Sequence, residues 1–243
     1  MRDAPEPGGT PSDATLIEAR ELSVDASWGH ICGPVDLRVR TGGVTVLAGP
    51  EGRGRTALLL TLAGRMRPTK GELVAFDRSN DAHHLFKNAA VAWIDEVDDI
   101  EQTIRVSDVI TEQIRWSAPW YKWVTPALEE DLERICRPVF GPYPLPAMES
   151  FVEELPELTA ALFRIAVGNL RRPPLLVVGG VDNLTRSQNQ LHLMDRLVDL
   201  GRTQTVITAD INAVSPAGGV RDVIGVHNLT DGQFVGLEHE DRT

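Results

Sequence analysis

The sequence predicts an α/β protein: a mostly parallel sheet flanked by helices, with an antiparallel β part near the N-terminus and a helical lobe. Three observations carry that expectation. Short apolar runs of strand length alternate with helix-length segments: Val44-Thr-Val-Leu-Ala48, Ala89-Ala-Val-Ala-Trp-Ile94, Leu175-Leu-Val-Val178 and Thr205-Val-Ile-Thr208. Runs of this kind are buried on both faces, as in a parallel sheet covered by crossover helices. Directly after the first run stands the glycine-rich turn Gly49-Pro-Glu-Gly-Arg-Gly-Arg-Thr56, which leads into the helical run Ala57-Leu-Leu-Leu-Thr-Leu-Ala63. From about residue 100 to 158 the strand pattern gives way to helical periodicity, which places a helical insert within the sheet order.

Composition bounds the function classes. The chain has 243 residues, 42% of them hydrophobic, and a formal net charge of −11. One large core is affordable at this length, and the acidic balance argues against a nucleic-acid partner, which needs a basic stripe. Cys32 and Cys136 lie far apart without metal-ligand spacing and read as buried small hydrophobes. No uninterrupted apolar stretch reaches membrane-spanning length, and the N-terminus has no apolar signal region, so a cytoplasmic location is expected.

In chain order, residues 1–13 carry Pro5, Pro7, Pro11, Gly8 and Gly9 with little that is apolar, and read as a disordered tail. An early strand follows over Thr15 to Val24. Val35-Asp-Leu-Arg-Val39 alternates as a half-exposed strand and closes in Thr41-Gly-Gly43. The helix after the glycine-rich turn should end near Gly64, with a strand over Glu72 to Phe76. In the insert, Ser107 is read as the cap of one helix and Thr125-Pro126 as the start of the next. Trp116-Ser-Ala-Pro-Trp-Tyr-Lys-Trp123 between them is most simply the core of the lobe; if exposed, it would be a partner surface. His83-His84 lack a second spaced pair and read as a solvated loop. Helices are expected over Glu157 to Leu170 and, capped at Ser187, to Leu200. A hairpin around Asp231-Gly232 is expected to join Val223–Val226 to Gln233–Leu237.

The spacing Gly49-x4-Gly54-Arg55-Thr56 is that of a phosphate-binding loop with arginine where lysine stands. Gly49, Gly52 and Gly54 let successive N–H groups turn inward, and the helix start at Arg55, Thr56 and Ala57 adds the positive end of its dipole. The Thr56 hydroxyl is placed to ligate magnesium. Arg55 keeps the charge of a lysine but is longer, planar and forked.

With these motifs the chain resembles the nucleotide-binding domain of an ATP-binding cassette (ABC) transporter, a P-loop NTPase. The likeness spans roughly residues 15–240, which implies one cassette domain over 14–243, and is strongest from Gly49 through the phrase Arg67-Pro-Thr-Lys-Gly-Glu72, and over Phe163 to Val178. The resemblance implies ATP and Mg²⁺ as ligands, with Trp28 as the aromatic that stacks on adenine. It also implies an integral membrane transporter subunit docked on the helical lobe and a second ABC subunit as partners. Such a chain sits peripherally at the inner face of the membrane.

The same resemblance exposes departures. The family's Asp-Glu at the end of the second nucleotide strand, which organises magnesium and polarises the attacking water, falls on Gly179 and Gly180. Its switch histidine falls on Ala209, and its magnesium-contacting glutamine on Glu96. Its Ser-Gly-Gly-Gln signature falls on Leu155-Pro-Glu-Leu-Thr159, where Pro156 has no N–H and Glu157 complements its own helix dipole. The resulting expectation is a degenerate ABC subunit of a transport complex that binds ATP weakly and has lost hydrolysis or most of it. Thr56 and Glu96 are its remaining candidate magnesium contacts. The alternatives are an active ATPase working through displaced carboxylates (Asp95, Glu96 or Asp182) and a soluble regulatory or scaffold protein of the same fold.

Overall fold

The computed structural model describes residues 13–94, 103–121, 123–211 and 218–226. Among them are nine strands and six helices in two sheets. The N-terminal sheet is antiparallel, in the order β2-β1-β4-β5, and is formed by β1 (Thr15–Ala26), β2 (Gly29–Arg40), β4 (Lys70–Ala75) and the short β5 (Arg78–Ser79). The second sheet, in the order β6-β7-β8-β3-β9, is parallel at every pairing. Its strands are β6 (Ala89–Ala92), β7 (Leu175–Gly180), β8 (Thr205–Asp210), β3 (Gly43–Ala48) and β9 (Asp222–Gly225).

The parallel strands read as unbroken apolar runs because each feeds two cores. In β7, Leu176 and Val178 join one hydrophobic cluster, and Leu175 and Val177 the other. In β8, Val206 faces the first, and Ile207 and Ala209 the second. The period-2 alternation of a strand is thus present, but both faces are dry. The first cluster lies under α3 (Val106–Ser117), α4 (Glu129–Phe140), α5 (Glu157–Gly168) and α6 (Ser187–Leu200), with Phe140 and Phe163 fully buried. The second packs α1 (Arg53–Leu62) between the two sheets, burying Leu58 and Leu62.

Several helix boundaries differ from the sequence expectation. The helix α3 starts at Val106, not behind a Ser107 cap, because backbone bonds from Val106 and Ser107 to the carbonyls of Ser150 and Met148 fix its entry. The next helix, α4, starts at Glu129 rather than at Thr125-Pro126. There the Asp131 carboxylate accepts from the Leu128 N–H at 3.1 Å, and three acidic residues occupy the first turn. At Ser187 the capping position is taken by Arg186, without a side-chain bond. His83 and His84 lie in a short helix, α2 (Ala82–Asn88), capped by Asp81, rather than in a loop. β9 pairs in parallel with β3, and the second arm of the expected hairpin lies outside the described residues, as do Glu96 and residues 1–12 of the expected tail.

Candidate nucleotide site

The glycine-rich turn sits at the C-terminal end of β3, which lies between β8 and β9. Ligands of open parallel sheets collect at this edge. Gly49 is held by its N–H to the Asp210 carbonyl (3.1 Å). A Cβ there would come within 2.5 Å of the Val226 carbonyl oxygen, so the end of β9 requires glycine. Gly52 takes φ 139° and ψ −179°, backbone that side-chain-bearing residues avoid, and turns the chain into α1. The Arg55 and Thr56 N–H groups return to the Gly52 carbonyl at 3.0 and 3.2 Å. The amides of Arg53 and Gly54 begin the helix ahead of them, at the positive end of its dipole.

In front of this turn lies a cleft of about 410 Å³ lined by Gly52, Arg55, Thr56, Ala57 and Trp28, with Gly179 and Gly180 at its back. Of the expected residues, Gly52, Arg55, Thr56, Ala57 and Trp28 line one cleft, and Gly49 and Gly54 are not part of its lining. Trp28 is 46% exposed, and the Arg53 guanidinium lies 5.7 Å from its ring centroid, an arrangement that keeps a flat aromatic surface at the cleft edge.

Arg55 does not reach into the cleft as a free cation. It is 4% exposed, and its Nη1 donates to Asp182 Oδ2 at 2.6 Å; Nη2 lies 3.5 Å from Asn183 Oδ1. Asp182 stands in a 3-10 turn over Val181–Asn183 that directly follows β7, and its Oδ2 also accepts from the Ile211 N–H. Its other oxygen, Oδ1, is buried with no hydrogen-bond partner. Asp182, one of the carboxylates named for the active-ATPase alternative, thus has one oxygen on the Arg55 guanidinium and the other without a hydrogen-bond partner.

The two glycines after Val178 have ordinary extended backbone but stand in crowded places. A Cβ on Gly180 would fall 2.2 Å from Asp182 Oδ1 and 2.7 Å from Arg55 Nη2. A Cβ on Gly179 would fall 1.9 Å from the Trp93 carbonyl oxygen. Trp93 follows β6 in left-handed backbone (φ 53°), a conformation uncommon for a bulky side chain. A side chain at Gly179 would meet backbone, and one at Gly180 would displace the side-chain ends of Asp182 and Arg55. Ala209, where the switch histidine would fall, is a fully buried residue of β8.

Of the two expected magnesium contacts, Thr56 lines the cleft, together with the oxygen-bearing side chains of Glu51 and Asn183, and Glu96 lies outside the described residues. Mg²⁺ is commonly held by one or two protein oxygens with water and substrate phosphate completing its octahedron. Among the described residues no three His, Cys, Asp or Glu side chains gather where a metal could be held.

At the start of α5, Pro156 precedes the helix and Glu157 is its first residue, as a dipole-complementing carboxylate requires. The structure adds a tether that the sequence did not reveal. Glu157 Oε1 accepts from the Thr185 N–H at 2.5 Å, and Oε2 from Asn189 Nδ2 at 2.6 Å, fastening α5 to the start of α6. The Thr185 backbone bond, followed by Asn189, holds the Glu157 carboxyl below its ordinary 4.5. A folded-state value below the unfolded one means that the tether contributes stability above the unfolded value and loses it as pH falls through the folded one. In an NMR titration the Glu157 carboxyl carbon is expected to titrate below 4.5 and the Thr185 amide to shift with the same midpoint. A midpoint at or above 4.5 would contradict the tether.

The tryptophan cluster is not the core of the lobe. Trp116, Trp120 and Trp123 are 76, 96 and 91% exposed, and Tyr121 lies with them on the surface. Phe140, Phe163, Ile110 and Leu132 fill the interior instead. The two cysteines are buried, and burial pushes their thiols up, Cys32 to about 11 and Cys136 to about 12.

Residues 32–176 match the sequence profile of the family described as ABC transporter. The chain belongs to this family. Among its curated relatives, the hemin import ATP-binding protein HmuV of Thermobifida fusca is 36% identical over 78 residues, which is 32% of this chain and 28% of that protein. The cytochrome c biogenesis ATP-binding export protein CcmA of Pseudomonas putida is 25% identical over 95 residues, 39% of this chain and 45% of that protein. The alignments thus span less than half the length of either relative. Of the solved structures, cbiO1 from Clostridium perfringens, described as part of the ABC transporter complex cbiONQ, superposes with a TM-score of 0.67 at 15% identity, covering 94% of both chains. A cassette described as a putative ABC transporter ATP-binding protein from Pyrococcus furiosus gives 0.64 at 17% identity over 86% of this chain and 96% of that one. At these identities the structures establish the fold, that of an ATP-binding cassette. No helix among the described residues is long and apolar enough to cross a membrane.

Proposed function

We propose that this chain is a nucleotide-binding ABC subunit that does not turn ATP over, and that it works by association with a membrane transport complex. The observation that carries the reading is that glycine stands at both carboxylate positions, with the Trp93 backbone packed against Gly179 and the Arg55–Asp182 pair beside Gly180. Losing a general base costs about 10²–10⁴ in rate, and losing an electrostatic stabiliser about 10²–10³. Either loss with an incomplete metal site brings hydrolysis to background. The cleft still suits a nucleotide. The ring of Trp28 offers a stacking face for a base, and the first amides of α1 offer donors to phosphate.

The exposed aromatic surface at Trp116, Trp120, Tyr121 and Trp123 supports a docked partner, because rigid amphipathic rings anchor interfaces. The relatives are ATP-binding proteins of import and export systems, and an integral membrane transporter subunit is the partner this reading assigns to the lobe. A second ABC subunit would meet Pro156 and a tethered Glu157 where the family presents its signature, so nucleotide is not expected to bridge the pair.

Two assays test the reading. Purified chain with ATP and magnesium is expected to release phosphate no faster than the blank; turnover of order 1 per second, abolished by Arg55→Ala, would overturn it. Affinity-tagged chain expressed in its own cells is expected to carry a multi-spanning membrane protein through detergent purification, and Trp120→Ala with Trp123→Ala to lose it. Recovery of the chain alone, with the tryptophans intact, would favour the soluble scaffold.

A further inference from the structure

Arg171 and Arg172 lie on the turn between α5 and β7, at the opposite end of the parallel strands from the glycine-rich turn. A buried pair of amides holds that turn in shape. Asn169, 3% exposed, donates Nδ2 to Gln204 Oε1 at 2.8 Å and accepts from Gln204 Nε2 at 3.1 Å. The same Gln204 nitrogen donates to the Pro173 carbonyl at 2.6 Å. The Arg172 N–H closes onto the Asn169 carbonyl at 3.0 Å with φ 45°, left-handed backbone that residues with side chains seldom adopt. Two prolines then stiffen the way into β7. Both arginines therefore leave a fixed frame, and the guanidinium of Arg171 has no part in making it.

Beside the turn is a pocket of about 320 Å³ lined by Arg134, Ile135, Leu170, Arg171 and Arg172, three guanidiniums and no carboxylate. Arg134 Nη2 donates to Asp131 Oδ1 at 2.8 Å, and Arg172 Nη2 to the Arg134 carbonyl at 3.2 Å. Arg171 makes neither a hydrogen bond nor an ion pair among the described residues. Asp131 thus pairs with one of three permanent charges. Solvent and salt screen the repulsion among the three but leave it unfavourable. An anion between them reverses its sign. A phosphate group suits the planar forks, which bond its oxygens pairwise. Ile135 and Leu170 give the same pocket an apolar side for the carbon group that a phosphate ester carries.

We propose that Arg134, Arg171 and Arg172 form an anion site for a phosphate monoester, separate from the nucleotide cleft, with which it shares no lining residue. The proposal stands whether or not that cleft binds nucleotide.

The test is an NMR titration of the full chain with glycerol 3-phosphate at constant ionic strength, with glycerol as the neutral control. The Nε–H signals of Arg134, Arg171 and Arg172 and the amides of Leu170 to Arg172 are expected to shift along one saturable curve at millimolar concentration, and not with glycerol. Arg171→Gln should weaken that curve about tenfold or more, as loss of a charge-assisted hydrogen bond predicts. Its melting temperature without ligand should match wild type, because Arg171 bonds nothing in the fold; Arg134→Gln repeats the test should that variant fail to fold. Flotation with phosphatidylcholine vesicles, with and without phosphatidic acid, separates the two sources of the group. Arg171-dependent retention on phosphatidic acid alone assigns a lipid headgroup, and binding of the soluble ester without retention assigns a soluble metabolite. Shifts confined to Gly52–Ala57, a curve unchanged in Arg171→Gln, or neither a saturable shift nor retention would overturn the proposal.

Discussion

Gly180→Glu, the change that puts back a carboxylate where the family polarises water, is expected to leave phosphate release at the blank and to lower the melting temperature. The new Cβ would enter the space between Asp182 Oδ1 and Arg55 Nη2. Overpacking of a tight site costs about 1–3 kcal/mol, and the added negative charge would stand beside an oxygen that already has no donor. For a domain of this size, each kcal/mol lowers Tm by about 2–4 °C. Gly179→Asp should be worse, because its Cβ meets the carbonyl of Trp93, a backbone atom that cannot swing aside. Circular dichroism melts of the two variants against wild type, with a phosphate-release assay at a temperature where all are folded, check both halves. A stable Gly180→Glu protein that turns ATP over would show that the carboxylate position is open after all.

This result would also explain why restoration cannot proceed one residue at a time. Arg55 lies far in sequence from Gly180 and Asp182; there Arg55 and Gly180 read as separate departures from a family pattern, and Asp182 as a possible substitute carboxylate. In the structure they are one arrangement. The longer arginine has an acidic partner, that partner follows β7, and the pair packs against the last strand residue, Gly180. Sequence reasoning found each position and assigned Arg55 to phosphate, because a charged side chain at the end of such a loop usually faces the ligand. What it lacked was the distance between Arg55 and Asp182, which no local pattern encodes.

The sheet, by contrast, was legible residue by residue. Buried parallel strands must be apolar on both faces, so Val44–Ala48, Leu175–Val178 and Thr205–Thr208 announce themselves without partners. Helix starts were less legible where tertiary bonds set them. Neither Ser107 nor Pro126 begins a helix, because the backbone at Ser150 and Met148 and the acidic run at Glu129 fix the entries more strongly. The tryptophans were misplaced for a different reason. Large aromatic residues usually report burial, and three in eight residues looked like a core. Trp116 lies in the last turn of α3, and Trp120 and Trp123 on the connection to α4, where their exposed rings have no interior to fill. The Glu157 tether to Thr185 and Asn189 joins two segments about 30 residues apart and left no sequence signal beyond a carboxylate at a helix start.

Asp182→Ala should destabilise the chain more than any surface change. Arg55 is 4% exposed, and removal of its partner leaves a guanidinium buried at the base of α1 with Asn183 Oδ1 at 3.5 Å as its nearest remaining polar contact from that turn. Breaking one side of a buried pair costs about 3–5 kcal/mol, whereas replacing both members with apolar residues of similar size is often neutral. Arg55→Met should therefore be costly alone, because it strands the Asp182 carboxylate, and the double variant Arg55→Met, Asp182→Leu should recover most of the loss. The double-mutant cycle, read by urea unfolding, isolates the coupling, since the residues touch and their effects cannot be additive. Wild-type-like stability in the double variant together with weakened nucleotide binding would make the pair a device of the binding site. Equal losses in single and double variants would instead make it a structural strut between α1 and the end of β7.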